Sequence, residues 1–139
     1  MFENILLAVD GSDGAVKAAR AATELAQLTK AHLRIVIAFD PIPAYLGEPN
    51  LQAAVDARMR EADAILERTL KVVGEIPGEI HTEILEGPAA DAILRVAETR
   101  GNDLIVMGSR GLGQLAGLLL GSQSQKVVTH APCPVLIVR

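Results

Sequence analysis

Aromatic side chains are almost missing from this chain: two Phe, one Tyr and no Trp among 139 residues. Their scarcity removes the stacking platforms on which a single-strand nucleic-acid binder lays its bases. A surplus of positive charge is missing too. Thirteen Lys and Arg face 17 Asp and Glu, for a formal net charge of -4 and a pI near 5.3. Neutralising many phosphates needs a basic face, so nucleic acid is not an expected partner. The one cysteine, Cys133, sits between Pro132 and Pro134 and leaves no intrachain disulfide or CxxC site. No apolar run approaches the ~18–20 residues that cross a bilayer, and MFENILLAVDGS lacks the basic start of a signal peptide. His32, His81 and His130 share no ligand spacing and no HExxH, so no protein metal site is expected. Ser12 has no GxSxG elbow, and no catalytic residue is assigned. These absences leave a soluble, acidic, cytoplasmic protein as the expectation.

What is present is a globular mix, 50% apolar and 22% charged. A chain of this length fits a single domain, residues 1–139, able to bury about two-thirds of its unfolded surface without a staple. Short apolar runs alternate with longer helical segments. NILLAV (Asn4–Val9), LRIVIAF (Leu33–Phe39), LIVM (Leu104–Met107) and PVLIV (Pro134–Val138) are continuous, whereas EIHTEIL (Glu79–Leu85) alternates. The continuous runs predict a parallel sheet covered on both faces, with the first and fourth strands at its centre and the alternating third at an edge. Between them, Ser12 to about Lys30 is Ala-rich. Leu51 to about Glu75 repeats Leu51, Val55, Met59, Ala62, Leu66 and Val73 along one stripe. Pro88 opens a third helix that stops at Gly101, and Ser122–His130 forms a fourth. The pattern predicts an α/β fold, an open parallel sheet with helices on both faces. The Asp40–Asn50 loop, with three prolines and Gly47, reads as a connector.

Parallel sheets of this kind bind ligands at the carboxyl ends of strands, where helix N-termini converge. Asp10, Asp40 and the loop beginning at Gly108 fall at such ends. In MGSRGLGQLAGLLLGSQSQKVV, Gly108, Gly111, Gly113, Gly117 and Gly121 open the backbone to close approach, and Ser122 and Ser124 follow at a helix start. The free N–H groups and dipole there favour an anion by about 0.3–1 kcal/mol. Two known phosphate signatures fail. Gly11-Ser12-Asp13-Gly14 does not match GxGxxG, and Gln114-Leu115 stands where a P-loop needs Lys and Ser/Thr.

A third pattern fits. Gly108-x2-Gly111-x9-Gly121-Ser122 resembles the nucleotide-binding signature of the ATP-binding branch of the universal stress protein family. LLAVDGSDGA, EGPAADAIL and APCPVLIVR resemble that family's first strand and turn, third helix start and closing strand, so the likeness covers the whole chain. The resemblance implies strand order 3-2-1-4-5 and ATP with Mg²⁺ (or Mn²⁺). It implies that Asp10 meets the ribose, that Ala38 lines the adenine pocket, and that Gly108, Gly111, Gly121 and Ser122 hold phosphates. Val9, Met107, Gln123 and Ser124 would neighbour the ligand. Gln123 stands where the family usually has a small apolar residue, and Ala38 is smaller than the common valine.

Some residues have plainer readings. Asp10 before Gly-Ser also suits a helix cap, although with the glycine loop present ribose contact is preferred. Arg110 suits a solvated charge and a phosphate contact equally. Leu118–Leu120 suits packing of the loop, and Cys133 suits an inert thiol. With no lysine between Lys71 and Lys126 and no evident base, any hydrolysis is expected to be slow. The function expected is therefore a nucleotide-responsive regulatory module. A nucleotide-free interaction protein and a slow or self-phosphorylating ATPase are the alternatives. An apolar last strand, Val135–Val138, followed only by Arg139, predicts a homodimer through paired edges, with a tetramer as a further step. Clients of the resembling family include membrane transporters and other regulators; no residue here selects one.

Overall fold

Runs of Val, Ile and Leu become strands because their side chains can be buried on both faces, and the Ala-rich intervals coil between them. The structure, a computed structural model, describes residues 1–109 and 120–139. Among these residues the strands are β1 (Asn4–Val9), β2 (His32–Phe39), β3 (Ile80–Glu86), β4 (Leu104–Gly108) and β5 (Val135–Val138). The helices are α1 (Asp13–Thr29), α2 (Asn50–Val73), α3 (Ala89–Thr99) and α4 (Ser122–His130). A single 3-10 turn, Ala44–Leu46, interrupts the connector after β2.

All pairings are parallel, in the order β3-β2-β1-β4-β5. The continuous runs of β1 and β4 lie inside the sheet and the alternating run of β3 lies at an edge, as expected. β2 is also interior, and the apolar β5 forms the other edge with none of its residues buried. On one face Ile5, Leu7, Leu33 and Ile35 pack against Ala18, Ala22 and Ala26 of α1; the alanines let that helix lie close to the strands. On the other, Leu6, Val36 and Ile105 meet Ile93 and Val96 of α3 and Val127 of α4.

Two details depart from the sequence reading. The apolar stripe of α2 is buried only toward its C-terminal half, at Ala62, Thr69 and Val73, whereas Met59 is exposed. The first turns of α2 follow the proline-rich connector and bury no residue. Pro88 is the N-cap of α3 rather than its first helical residue, with an extended ψ of 138°. Neither shift moves the strand ends. Val9 pairs with Ile37, and Leu7 lies opposite Val106. The chain leaving β1 at Asp10 thus stands where its two neighbours send their helices to opposite faces.

Candidate functional site

At that point a cleft of about 480 Å³ opens over the carboxyl ends of β1, β2 and β4. Val9, Asp10, Ala38, Met107, Gly108, Gly121, Ser122, Gln123 and Ser124 all line it. Arg110 and Gly111, also expected at the site, lie outside the described residues, as do Gly113, Gly117, Leu118 and Leu119.

Three helix N-termini reach the cleft, and each treats its leading N–H groups differently. At α1 the Ser12 hydroxyl accepts from the Ala15 N–H at 3.2 Å. The cap is therefore Ser12 and not Asp10. Asp10 Oδ1 instead accepts from the Ser12 N–H at 2.9 Å, an Asx-type turn that holds Ser12 in its capping position. At α3, Pro88 has no side-chain acceptor to offer, and Gln123 of α4 supplies one: its Oε1 accepts from the Ala90 N–H at 2.8 Å. At α4 the N-cap is Gly121, which has no side chain to turn inward. Among the described residues, α4 alone of the three meets the cleft without a side-chain cap.

The hydroxyls following Gly121 divide. Ser122 is exposed. Ser124 is buried, 4% exposed, and its Oγ donates to the Gly108 carbonyl at 3.0 Å. That bond fastens the first turn of α4 to the end of β4, so the Ser124 hydroxyl serves the frame of the site. Gly108 has a structural reason of its own. A Cβ there would stand 3.1 Å from the carbonyl carbon and oxygen of Gly14, so the glycine lets β4 pass under the start of α1. Gly11 takes a φ of +86° at the turn from β1, a conformation side chains disfavour.

The sequence reading did not include Arg58 and Glu61 in the site, yet both line the cleft from α2, with Asp40 beside them. They form an exposed ion pair at 3.5 Å. Their spacing of three puts them on one helix face, but which face meets the cleft is decided by the packing of Ala62 and Ile65. Among the described lining residues, three carboxylates (Asp10, Asp40 and Glu61) stand with one cation, Arg58, and no lysine. No group of three or more metal-ligating side chains occurs among the described residues. Cys133 lies away from the cleft, its thiol pushed up by burial and, secondarily, by the Asp103 carboxylate.

Known proteins resemble the chain along its whole length. The family model described as the universal stress protein family matches residues 1–139. A universal stress protein of Thermus aquaticus is 49% identical over 139 residues, covering 100% of both chains. The structure of a universal stress protein, UspA, from Lactobacillus plantarum superimposes with a TM-score of 0.88 at 31% identity, covering 99% of this chain and 98% of that one. Another universal stress protein, solved in complex with cAMP, has a TM-score of 0.72 at 24% identity and covers 99% and 97%.

Proposed function

Since this chain belongs to the universal stress protein family, we propose that it binds ATP with Mg²⁺ (or Mn²⁺) in the β1–β4 cleft as a nucleotide-responsive regulatory module. The observation that carries this reading is the N-terminus of α4, which takes no side-chain cap from the described residues, beside two capped ones. A phosphate group supplies the acceptors that Gly121 cannot. The cleft, about 480 Å³, is of the size that encloses small-molecule ligands. Ala38 and Val9 offer a small apolar wall for a base, and Asp10 a carboxylate for ribose hydroxyls. The cAMP-bound neighbour shares this fold.

The charges favour the metal complex over the bare nucleotide. Among the described lining residues, Asp10, Asp40 and Glu61 stand around one Arg58, a set that would repel a free triphosphate. Mg²⁺ offsets that repulsion. Such an ion commonly stays on the phosphates with its own waters, so no dedicated set of protein ligands is required. The single cation among the described lining residues argues for slow hydrolysis, because phosphoryl transfer draws on cationic groups to stabilise its transition state.

β5 is an outer strand, and Leu136 on it is 37% exposed. Pairing Val135–Val138 with the same strand of a second copy would cover that edge, giving a homodimer. No helix among the described residues is long and apolar enough to cross a membrane, and the proposed setting is cytoplasmic.

Calorimetric titration of nucleotide-stripped protein with ATP and Mg²⁺, repeated with Gly121→Val, tests the reading. Micromolar binding that the variant loses supports it. A wild-type protein that shows no heat and displaces no competing nucleotide would sink it and favour a nucleotide-free interaction protein.

A further inference from the structure

Among the described residues, Gln123 is the one that belongs both to the cleft wall and to the cap of a second helix. Its amide orientation is fixed by elementary chemistry. The Ala90 N–H can only donate, so the side-chain oxygen must face it, and the NH₂ group is turned away. That NH₂ has no protein partner among the described residues. The neighbouring turn is tied in the same direction. Lys126, three residues on along α4, meets Asp91, the residue after Ala90, at 2.7 Å. The two bonds clamp the first turn of α3 to α4.

Resting on the ATP reading above, we infer that Gln123 makes nucleotide occupancy felt in α3: its NH₂ donates to an oxygen of the bound nucleotide while its Oε1 holds the Ala90 N–H. The backbone N–H of Gln123 belongs to the same uncapped turn of α4. One residue thereby contributes to the ligand site through its main chain and amide nitrogen, and to α3 through its amide oxygen. Filling the site restrains the side chain. The restraint passes to the start of α3, a helix with no side-chain cap of its own at Pro88. A small apolar residue at this position makes neither bond, so such a chain has no equivalent link.

Amide hydrogen exchange and ATP–Mg²⁺ calorimetry on the full chain separate the two halves of the idea. Gln123→Glu keeps an acceptor for Ala90 but replaces the donor with a negative charge. Gln123→Val removes both. In the wild type, ATP should slow exchange at Ala90 and Asp91 by about tenfold, the effect of one added charge-assisted restraint. Gln123→Glu should retain wild-type protection of Ala90 without nucleotide and lose about tenfold or more in ATP affinity. Gln123→Val should exchange faster at Ala90 and show no ATP-dependent slowing there, even at saturating nucleotide. Wild-type binding of ATP with no change in α3 exchange, or full affinity and full slowing in Gln123→Val, overturns the role of Gln123 and leaves ATP binding standing. A calorimetrically silent wild type overturns both together.

Discussion

Gly108 passes beneath Gly14 so closely that a Cβ on it would lie 3.1 Å from the Gly14 carbonyl. This glycine, first noted as an opening for phosphate, is also demanded by packing between β4 and α1. Backbone atoms cannot swing aside as a side-chain tip can. Gly108→Ala should therefore lower stability by about 1–3 kcal/mol, the range for overpacking, in urea unfolding without nucleotide. An unchanged unfolding midpoint would show that β4 and α1 separate easily.

Ser122 and Ser124 should part company on mutation. Ser124→Ala removes the 3.0 Å donor of the half-buried Gly108 carbonyl and should cost about 1 kcal/mol, the net worth of a typical hydrogen bond. Ser122 is exposed, and Ser122→Ala should leave stability within about 0.5 kcal/mol. Equal losses in the two variants would contradict the assigned division.

Asp10→Asn tests the proposed ribose contact. Asparagine retains an oxygen for the Ser12 N–H, so the turn and the Ser12 cap persist. Its charge is lost, and ATP affinity should fall roughly tenfold, as for a hydrogen bond to a charged group. Binding at wild-type strength in calorimetry would remove Asp10 from the ribose.

Chelation provides a check on the electrostatics. With three carboxylates among the described lining residues, ATP in EDTA should bind at least tenfold more weakly than with Mg²⁺, a difference of about 1.4 kcal/mol. Indifference to the metal would mean that cations from residues beyond those described dominate the site.

The thiol of Cys133 sets a pH dependence whose sign is determined. Burial first and Asp103 second raise its folded pKa, so the unfolded chain releases the proton more readily. The stability it contributes is complete below the ordinary thiol value of about 8.5 and is lost as pH rises through the higher folded value. Comparing wild type with Cys133→Ala in urea unfolding from pH 7 upward should show the steeper decline in the wild type. Parallel curves would refute the shift.

Much of this frame was legible because hydrophobic period carries fold. The uninterrupted NILLAV and LIVM gave interior strands, EIHTEIL gave an edge, and Ser122–His130 matches α4 at both ends. The strand order came with the resemblance and is the order observed. Met59 continued an apolar stripe on paper, but the fold leaves it exposed. Arg58 and Glu61 escaped notice because helix periodicity places them on a face without saying what that face overlooks. The bond from Gln123 to Ala90 spans 33 residues. No local pattern announces a helix capped by another helix.

Leu136 offers the simplest handle on assembly. Leu136→Lys puts a charge on the exposed outer strand and should shift sedimentation from dimer toward monomer. A monomeric wild type would dismiss the paired-edge arrangement.

The placement of the cleft at the end of β1 has a mechanical consequence. Helices α1 and α2 form one layer of the molecule and α3 and α4 the other, separated nearly everywhere by the sheet. Over the cleft that partition ends, and Ser12, Ile65, Ala89 and Ser122 border the same space. A molecule seated there is a rivet through both layers. Its removal loosens them together, so a unit with an emptied cleft should melt as one body at a lower temperature, without shedding either layer first.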